Sequence, residues 1–379
     1  MNCDMVETGS LKLKKERTMV PKICITGGPC GGKSSSLAFI TEWLSDAGYY
    51  IIVVPEAYTY LKKRGLLPVN PKDLQALVIQ TQLMLEARAD AEAQLMIKYN
   101  PIIVCDRGLA DGGGYSPEDL FIATLKANGV PSLVAARDER YHTGVFHMVT
   151  AAKGAEQFYT TANNDARHET PEQAREQDDR TLHAWIGTPH MRVIDNSTDF
   201  DGKLLRLKQE VCRALGIPVP IEVEEKYLCR LTDPRLFSPG AQPIDIHQVY
   251  LTGKPGIVPR MRKRGQRGAY IYIWTEKEFI AHGKNNERNK LVTAADYDAS
   301  LPLRDPTKGI VRKTRTCFVF EHQYFEFDTI PLCDGSIIPL LELELTEEGQ
   351  EIRLPPFIDV LENVTQNPAY TNVQIAERV

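Results

Sequence analysis

The chain has 379 residues, 45 Lys+Arg against 50 Asp+Glu, a formal net charge of −5 and 42% hydrophobic residues. That composition excludes a collagen-like, disulfide-scaffold or largely disordered chain. Residues 1–220 carry 25 basic and 27 acidic side chains, and residues 221–379 carry 20 and 23, so neither half is a general nucleic-acid binder and no nucleic-acid partner is expected. The length exceeds what one hydrophobic core usually supports and points to two domains.

The chain starts with a polar, basic stretch, Met1 to Thr18, that lacks an apolar core and reads as a flexible tail over residues 1–19. The run Lys22–Thr26 is apolar and ends in glycines, and Lys33–Ala47 has apolar residues at helical spacing. Tyr50–Val54 is a run of β-formers, Lys72–Tyr99 a long helical pattern, and Pro101–Cys105, Val145–Val149 and Met191–Ile194 are short buried strands. This alternation predicts a parallel sheet covered by helices over residues 20–215. Gly216-Ile217-Pro218-Val219-Pro220 reads as a linker.

From residue 218 to 379 strands dominate: Ile221–Arg230, His247–Leu251, Val258–Arg264, Ala269–Thr275, Thr314–Phe320, Tyr324–Thr329 and Leu340–Leu345. Glu276–Ala281 and the tail from Phe357 read as helical, and Gly283–Lys290 as a mobile polar loop. Serial strands with turns predict an antiparallel barrel. The fold class expected is therefore an α/β P-loop NTPase domain followed by a mainly antiparallel β-barrel. The eight cysteines form no C-x-x-C pair and read as reduced intracellular thiols. No run approaches the ~18 apolar residues of a membrane span, so a cytoplasmic protein with at most peripheral membrane contact is expected.

Two sets of residues carry chemistry. Gly27-Gly28-Pro29-Cys30-Gly31-Gly32-Lys33-Ser34 fits G-x-x-x-x-G-K-[ST] between a strand and a helix. Its glycines let backbone N–H groups converge on phosphate oxygens at a helix N-terminus; Lys33 would reach the β- and γ-phosphates, Ser34 would ligate Mg²⁺, and Ser35 follows on the helix. Glu56 and Asp106 end strands, where ligands bind in such sheets. Asp106 suits a Mg²⁺–water ligand and Glu56 a base or water-positioning group. One of Arg137, Arg140, Arg167 and Arg175 could close over the phosphates, and Asn196 follows the strand that could meet the base.

The second set alternates along strands. Glu222, Glu224 and Lys226 share one strand face, as do Arg260, Arg262 and Arg264, Lys313 and Arg315, and Glu342 and Glu344. Charged faces repeated on four strands, each backed by apolar alternates, predict a barrel with a charged lumen. Inward basic side chains would bind phosphate oxygens, and the carboxylates Glu222, Glu224, Glu342 and Glu344 would hold Mg²⁺. The cluster Arg260–Arg267 with Trp274 could touch an anionic membrane surface.

These motifs carry resemblances. GGPCGGKSS, VVPEAYTYL, IIVCDRG, YHTGVFHMVTAA and NNDARHET, over about residues 20–215, resemble the AAA-28 P-loop family, related to nucleoside and nicotinamide riboside kinases; its lid arginine matches Arg167. The E-x-E-x-K, R-x-R and K-x-R strands, Asp328 and the late E-x-E resemble the CYTH family of triphosphate tunnel proteins over about residues 218–350. The chain departs from it at Ile271-Tyr272-Ile273-Trp274-Thr275, where tunnel enzymes commonly carry an inward lysine, which weakens hydrolysis more than phosphate binding. The fusion of the two resembles GTP-binding, phosphoinositide-binding proteins of membrane traffic. That resemblance implies GTP with Mg²⁺ in the first domain and a phosphoinositide or other anionic phospholipid in the second. It also implies reversible attachment to endomembranes, a membrane-protein cargo and at most slow GTP hydrolysis. A small-molecule kinase and a tunnel triphosphatase are the competing readings.

Overall fold

The computed structural model describes residues 19–379 except 69, 71–72, 160–168, 218–220, 231, 238–239, 254–256, 282–283 and 346–349; at 221–223, 234, 279–281 and 284–286 it describes backbone alone. Strands β1 (Lys22–Thr26), β2 (Tyr50–Val54), β3 (Pro101–Asp106), β4 (Gly144–Met148) and β5 (Met191–Ile194) form a parallel sheet in the order β2-β3-β1-β4-β5. Its central strand β1 is buried throughout, as continuous β-former runs require when helices cover both faces.

Helices α1 (Lys33–Asp46), α2 (Ala57–Lys63), α3 (Leu74–Leu95), α4 (Glu118–Ala127), α5 (Pro171–Trp185) and α6 (Phe200–Leu215) complete this half. Ile40 and Leu44 of α1 and Leu207 and Val211 of α6 fill one core; Leu85 and Ala89 of α3 and Leu182 and Trp185 of α5 fill another. Helix α6 stops at Gly216, whose left-handed φ of 71° caps it, and residues 218–220 of the expected linker lie outside the described residues.

The second half is antiparallel. Strands β6 (Ile221–Cys229), β7 (Gln242–Tyr250), β8 (Ile257–Gln266), β9 (Ala269–Ala281), β10 (Lys284–Val292), β11 (Val311–Phe320), β12 (Gln323–Pro331) and β13 (Ile337–Glu344) run in the order β10-β9-β8-β7-β11-β12-β13-β6. Asn285 pairs with Glu222, so β10 meets β6 and the sheet closes into an eight-stranded barrel. Helix α7 (Ala294–Ser300) precedes β11, and strand β14 (Val360–Asn363) adds to β6 beside the β10 pairing.

Three expectations are corrected here. Glu276–Ala281 is the end of strand β9, and the polar stretch after Gly283 is strand β10. Their pairing, with Glu287 opposite Lys277 and Asn289 opposite Thr275, supplies each with a full ladder that local polarity does not announce. The tail from Phe357 gives β14 first and only then the short helix α8 (Asn372–Ile375).

The two halves are packed together at one barrel mouth. Val134 packs on Ile271 and Ile273, and Ile186 packs on Ile244, Ile246 and Cys317. Asp138 accepts a 3.1 Å hydrogen bond from Arg264 while also pairing with Arg137 at 2.6 Å, and all three side chains are buried. Towards the other end, α8 buries Ile375 against Tyr250, Ile330 and Leu340, and Lys313 Nζ donates to Asn372 Oδ1 at 3.2 Å.

Candidate functional site

The loop between β1 and α1 is built for phosphate. Gly27 and Gly32 take φ of 137° and 84°, and a Cβ on Gly27 would stand 2.1 Å from the Met148 carbonyl oxygen. Only glycine fits there. Lys33 Nζ donates to the Gly27 and Gly28 carbonyls at 2.9 and 2.6 Å, so the ammonium is held over the loop. Burial, with Arg107 nearby, lowers its pKa to about 8. Ser34 and Ser35 are exposed at the start of α1, and Ser36 is buried.

The two strand-end acids flank this loop. Glu56 accepts from Arg107 at 2.7 Å and from Thr59 at 2.5 Å. Against the burial that would raise it, Arg107 and Thr59 hold its carboxyl below the usual range, so it is an ionised base at neutral pH. Burial and the Glu56 charge push Asp106 upward, and among the described residues its carboxylate makes no hydrogen bond or ion pair. A half-buried carboxylate that among the described residues has no partner, beside a phosphate loop, is a donor set that a hard cation suits, with Ser34 as the second oxygen ligand. Bound Mg²⁺ would supply charge neutralisation of the phosphates there.

Sequence reasoning missed two members of this site. Arg107 bridges Glu56 and, at 3.0 Å, Asp111, which also accepts from Thr26; its adjacency to Asp106 was the available signal. Asp178 on α5 is buried and accepts from Gly28 N at 2.8 Å, Thr150 N at 3.2 Å and Lys153 Nζ at 2.9 Å, and it lies 3.1 Å from His147 Nε2. It ties α5 to the loop over a separation of 150 residues, which no local pattern reveals. Beyond the loop opens a cleft of about 770 Å³, lined by Lys33, Ser34, Phe158, Asn196, Phe200 and Lys203 among others. Asn196 Nδ2 donates to the Thr150 and Lys153 carbonyls at 2.8 and 2.7 Å and its Oδ1 accepts from Lys203, so it shapes the cleft wall.

Of the four candidate lid arginines, Arg167 lies outside the described residues. Arg137 is buried and donates to Ile186 O, Arg140 pairs with Glu86, and Arg175 pairs with Glu172. These three serve packing and surface pairs because each already has a fixed acceptor.

The charged strand faces do converge. Cross-strand partners share a face, and Arg264 sits opposite Ile246 and Ile271, Arg315 opposite Ile244 and Asp328, and Lys226 opposite Glu342. Lys226 meets Glu342 at 2.9 Å and Glu224 at 3.8 Å. Arg260 meets Glu287 at 3.1 Å, Lys277 meets Glu287 at 3.5 Å, Lys313 pairs with Asp328, and Arg315 pairs with Glu326, Asp328 and Glu342. Against burial, the neighbouring glutamates raise the Lys226 pKa, and Lys226 with Lys313 draws Glu342 well down. Both stay charged, so the lumen is a lattice of ion pairs. Glu344 turns instead to Arg192 of the first half, and the side chain of Glu222 lies outside the described residues. Among the described residues no three acidic, histidine or cysteine side chains come together as a metal cluster.

Arg262 is the exception in the lattice. Among the described residues its guanidinium has no hydrogen bond or ion pair, its buried Nε is unpartnered, and burial with Arg260 lowers its pKa to about 10. The expected surface patch Arg260–Arg267 is dispersed: the alternate arginines Arg260, Arg262 and Arg264 turn inward, Lys263 lies over the Tyr270 ring at 4.1 Å, Arg267 pairs with Glu118, and Trp274 packs beside Met261 and Tyr297. Strand alternation splits a contiguous basic run between two faces.

Residues 22–203 match the family model described as an AAA domain. No curated protein is matched. Among solved structures, the inorganic triphosphatase NE1496 is 23% identical with a TM-score of 0.31, over 42% of this chain and 95% of that one. The PH1819 protein of Pyrococcus horikoshii OT3 is 17% identical with a TM-score of 0.27, over 34% and 80%. The putative adenylyl cyclase HpAC1 from Hippeastrum is 13% identical with a TM-score of 0.25, over 34% and 80%. Among the described residues no helix is long and apolar enough to cross a membrane. With the loop geometry, the AAA-domain match identifies the first half as a P-loop nucleotide-binding domain.

Proposed function

We propose that this protein binds GTP·Mg²⁺ on the Gly27–Ser35 loop and a polyphosphate headgroup, as in a phosphoinositide, in the barrel, and that it serves membrane-protein traffic from the cytoplasmic side. The domains are residues 20–215 and 218–379. The observation carrying the nucleotide half is the conjunction of Lys33 over the loop carbonyls with the unpartnered Asp106 carboxylate. The barrel half rests on Arg262, which among the described residues makes no hydrogen bond or ion pair and whose Nε is buried without a partner. An incoming phosphate would give it an acceptor and take a share of the Lys226, Arg260, Arg264, Lys313 and Arg315 charge. Guanine and the lipid source of the headgroup come from the resemblance of the fused pair. Lys33→Ala should lower affinity for a fluorescent GTP analogue at least roughly tenfold, and unchanged affinity refutes the nucleotide half. Arg262→Ala should weaken binding of a soluble inositol polyphosphate while leaving GTP binding intact; equal binding refutes the barrel half.

A second reading, phosphoryl transfer to a small acceptor, is favoured by one observation: ionised Glu56 is oriented by Arg107 at 2.7 Å, as a base for an acceptor hydroxyl needs to be. Loss of transfer in Glu56→Gln across a nucleoside panel would support it. Absence of transfer by the unmodified protein would remove it.

A further inference from the structure

Helix α2 follows directly on Glu56 and ends in a turn that belongs to neither site. Gly65 takes a left-handed φ of 65°, Gly65 N donates to Lys62 O at 3.1 Å, and Leu66 N donates back to Leu61 O at 3.0 Å. This is a closed helix C-cap, in which the residue after the glycine usually tucks its apolar side chain against the helix. Here that side chain remains largely outside: Leu66 is 53% exposed and Leu67 37%. On the same turn Lys62, Lys63 and Arg64 are exposed. Among the described residues Lys62 and Lys63 have no ion pair, and Arg64 lies over the Tyr60 ring at 3.7 Å. A backbone-locked tip that shows two leucines beside three cations has the chemistry of a surface that enters the headgroup region of an anionic bilayer: the leucines leave water and the cations stay at the phosphate level.

We propose that the Lys62–Leu67 turn is a membrane-docking tip that seats on anionic lipid. The inference deepens the lipid half of the proposed function, yet its binding chemistry is separate from the barrel. Five helical residues separate Lys62, where the tip starts, from Glu56, roughly 9 Å along α2. The tip therefore lies on the nucleotide domain, and a bilayer engaged there would sit within one short helix of the phosphate loop.

The test is flotation of the full chain with phosphatidylserine-containing vesicles and with pure phosphatidylcholine vesicles, neither holding a polyphosphate lipid. The unmodified protein should float with the first and far less with the second. Leu66→Ser/Leu67→Ser and Lys62→Glu/Lys63→Glu should each cut flotation at least roughly tenfold. Leu120→Ser, at an exposed leucine on α4, should leave it unchanged. Equal flotation of the tip variants overturns the proposal, as does failure of the unmodified protein to float. Loss on charge reversal alone also overturns it, because a purely electrostatic surface would equally fit an acidic protein. Inositol polyphosphate binding measured in parallel separates the two readings, since the tip variants should retain it and Arg262→Ala should not.

Discussion

Asp138→Ala removes one of the carboxylates that join the two halves of the molecule, the one buried in their seam. Asp138 is fully buried, takes Arg137 at 2.6 Å and reaches Arg264 at 3.1 Å, and both guanidiniums are buried with it. The substitution leaves two cations in a low-dielectric seam. Arg137 keeps the Ile186 carbonyl as an acceptor, whereas Arg264 loses its only ion pair among the described residues. Breaking a buried pair from one side costs about 3–5 kcal/mol, against about 0–1 kcal/mol for an exposed pair. Arg264→Met should cost less, about 1–3 kcal/mol, because Asp138 retains Arg137. The double variant should be less destabilised than the sum, since it no longer buries the unpaired Arg264 charge. Urea unfolding followed by tryptophan fluorescence measures all three, and Trp185 lies close to the seam through Ile186. A loss below about 1 kcal/mol for Asp138→Ala, or strict additivity in the double variant, would refute a buried latch and mean that water reaches the seam.

Two further outcomes depend on pH. Lys33 binds phosphate as the ammonium, and its pKa of about 8 lies below the ordinary lysine value, so nucleotide affinity should hold below pH 8 and weaken as pH rises beyond it, with proton uptake on binding visible by calorimetry in buffers of different ionisation enthalpy. His190, near Arg192, Arg262 and Arg264 at the barrel mouth, is lowered by burial and by Arg192 to about 4. The unfolded chain then binds the extra proton between pH 6.5 and 4, so stability should fall as pH drops through that window, and His190→Phe should flatten the decline in acid unfolding curves.

The charged lattice also bears on catalysis in the barrel. Carboxylates that would hold a metal are held by cations: Glu342 by Lys226 and Arg315, Glu224 by Lys226 and Lys277, Glu344 by Arg192. A polyanion competes for the cations in such a lattice, which fits reversible binding. Docking at the Arg264 end places Asp138, a carboxylate of the nucleotide domain, against a lumen arginine. The two halves therefore share a buried ion pair at the mouth of the barrel.

Much of this was legible along the chain. Glycines followed by Lys33 and Ser34 between an apolar run and a helical pattern define the phosphate loop locally, because the motif, strand and helix are consecutive. Period-two alternation likewise announced which of Lys226, Arg260, Arg262, Arg264, Lys313, Arg315 and Glu342 share a face, since strand geometry alone fixes that. What those faces meet was decided by the tertiary structure. Strand β10 was hidden because its residues are polar, and it forms only where β9 and β6 offer ladders on both sides. Asp178 reaches Gly28, Asp138 reaches Arg264 and Glu344 turns to Arg192 across separations that no local periodicity encodes. The pairing of nearly every lumen charge, and the exception at Arg262, follow from barrel closure, which brings eight strands to one axis and makes each charge choose among neighbours far away in sequence.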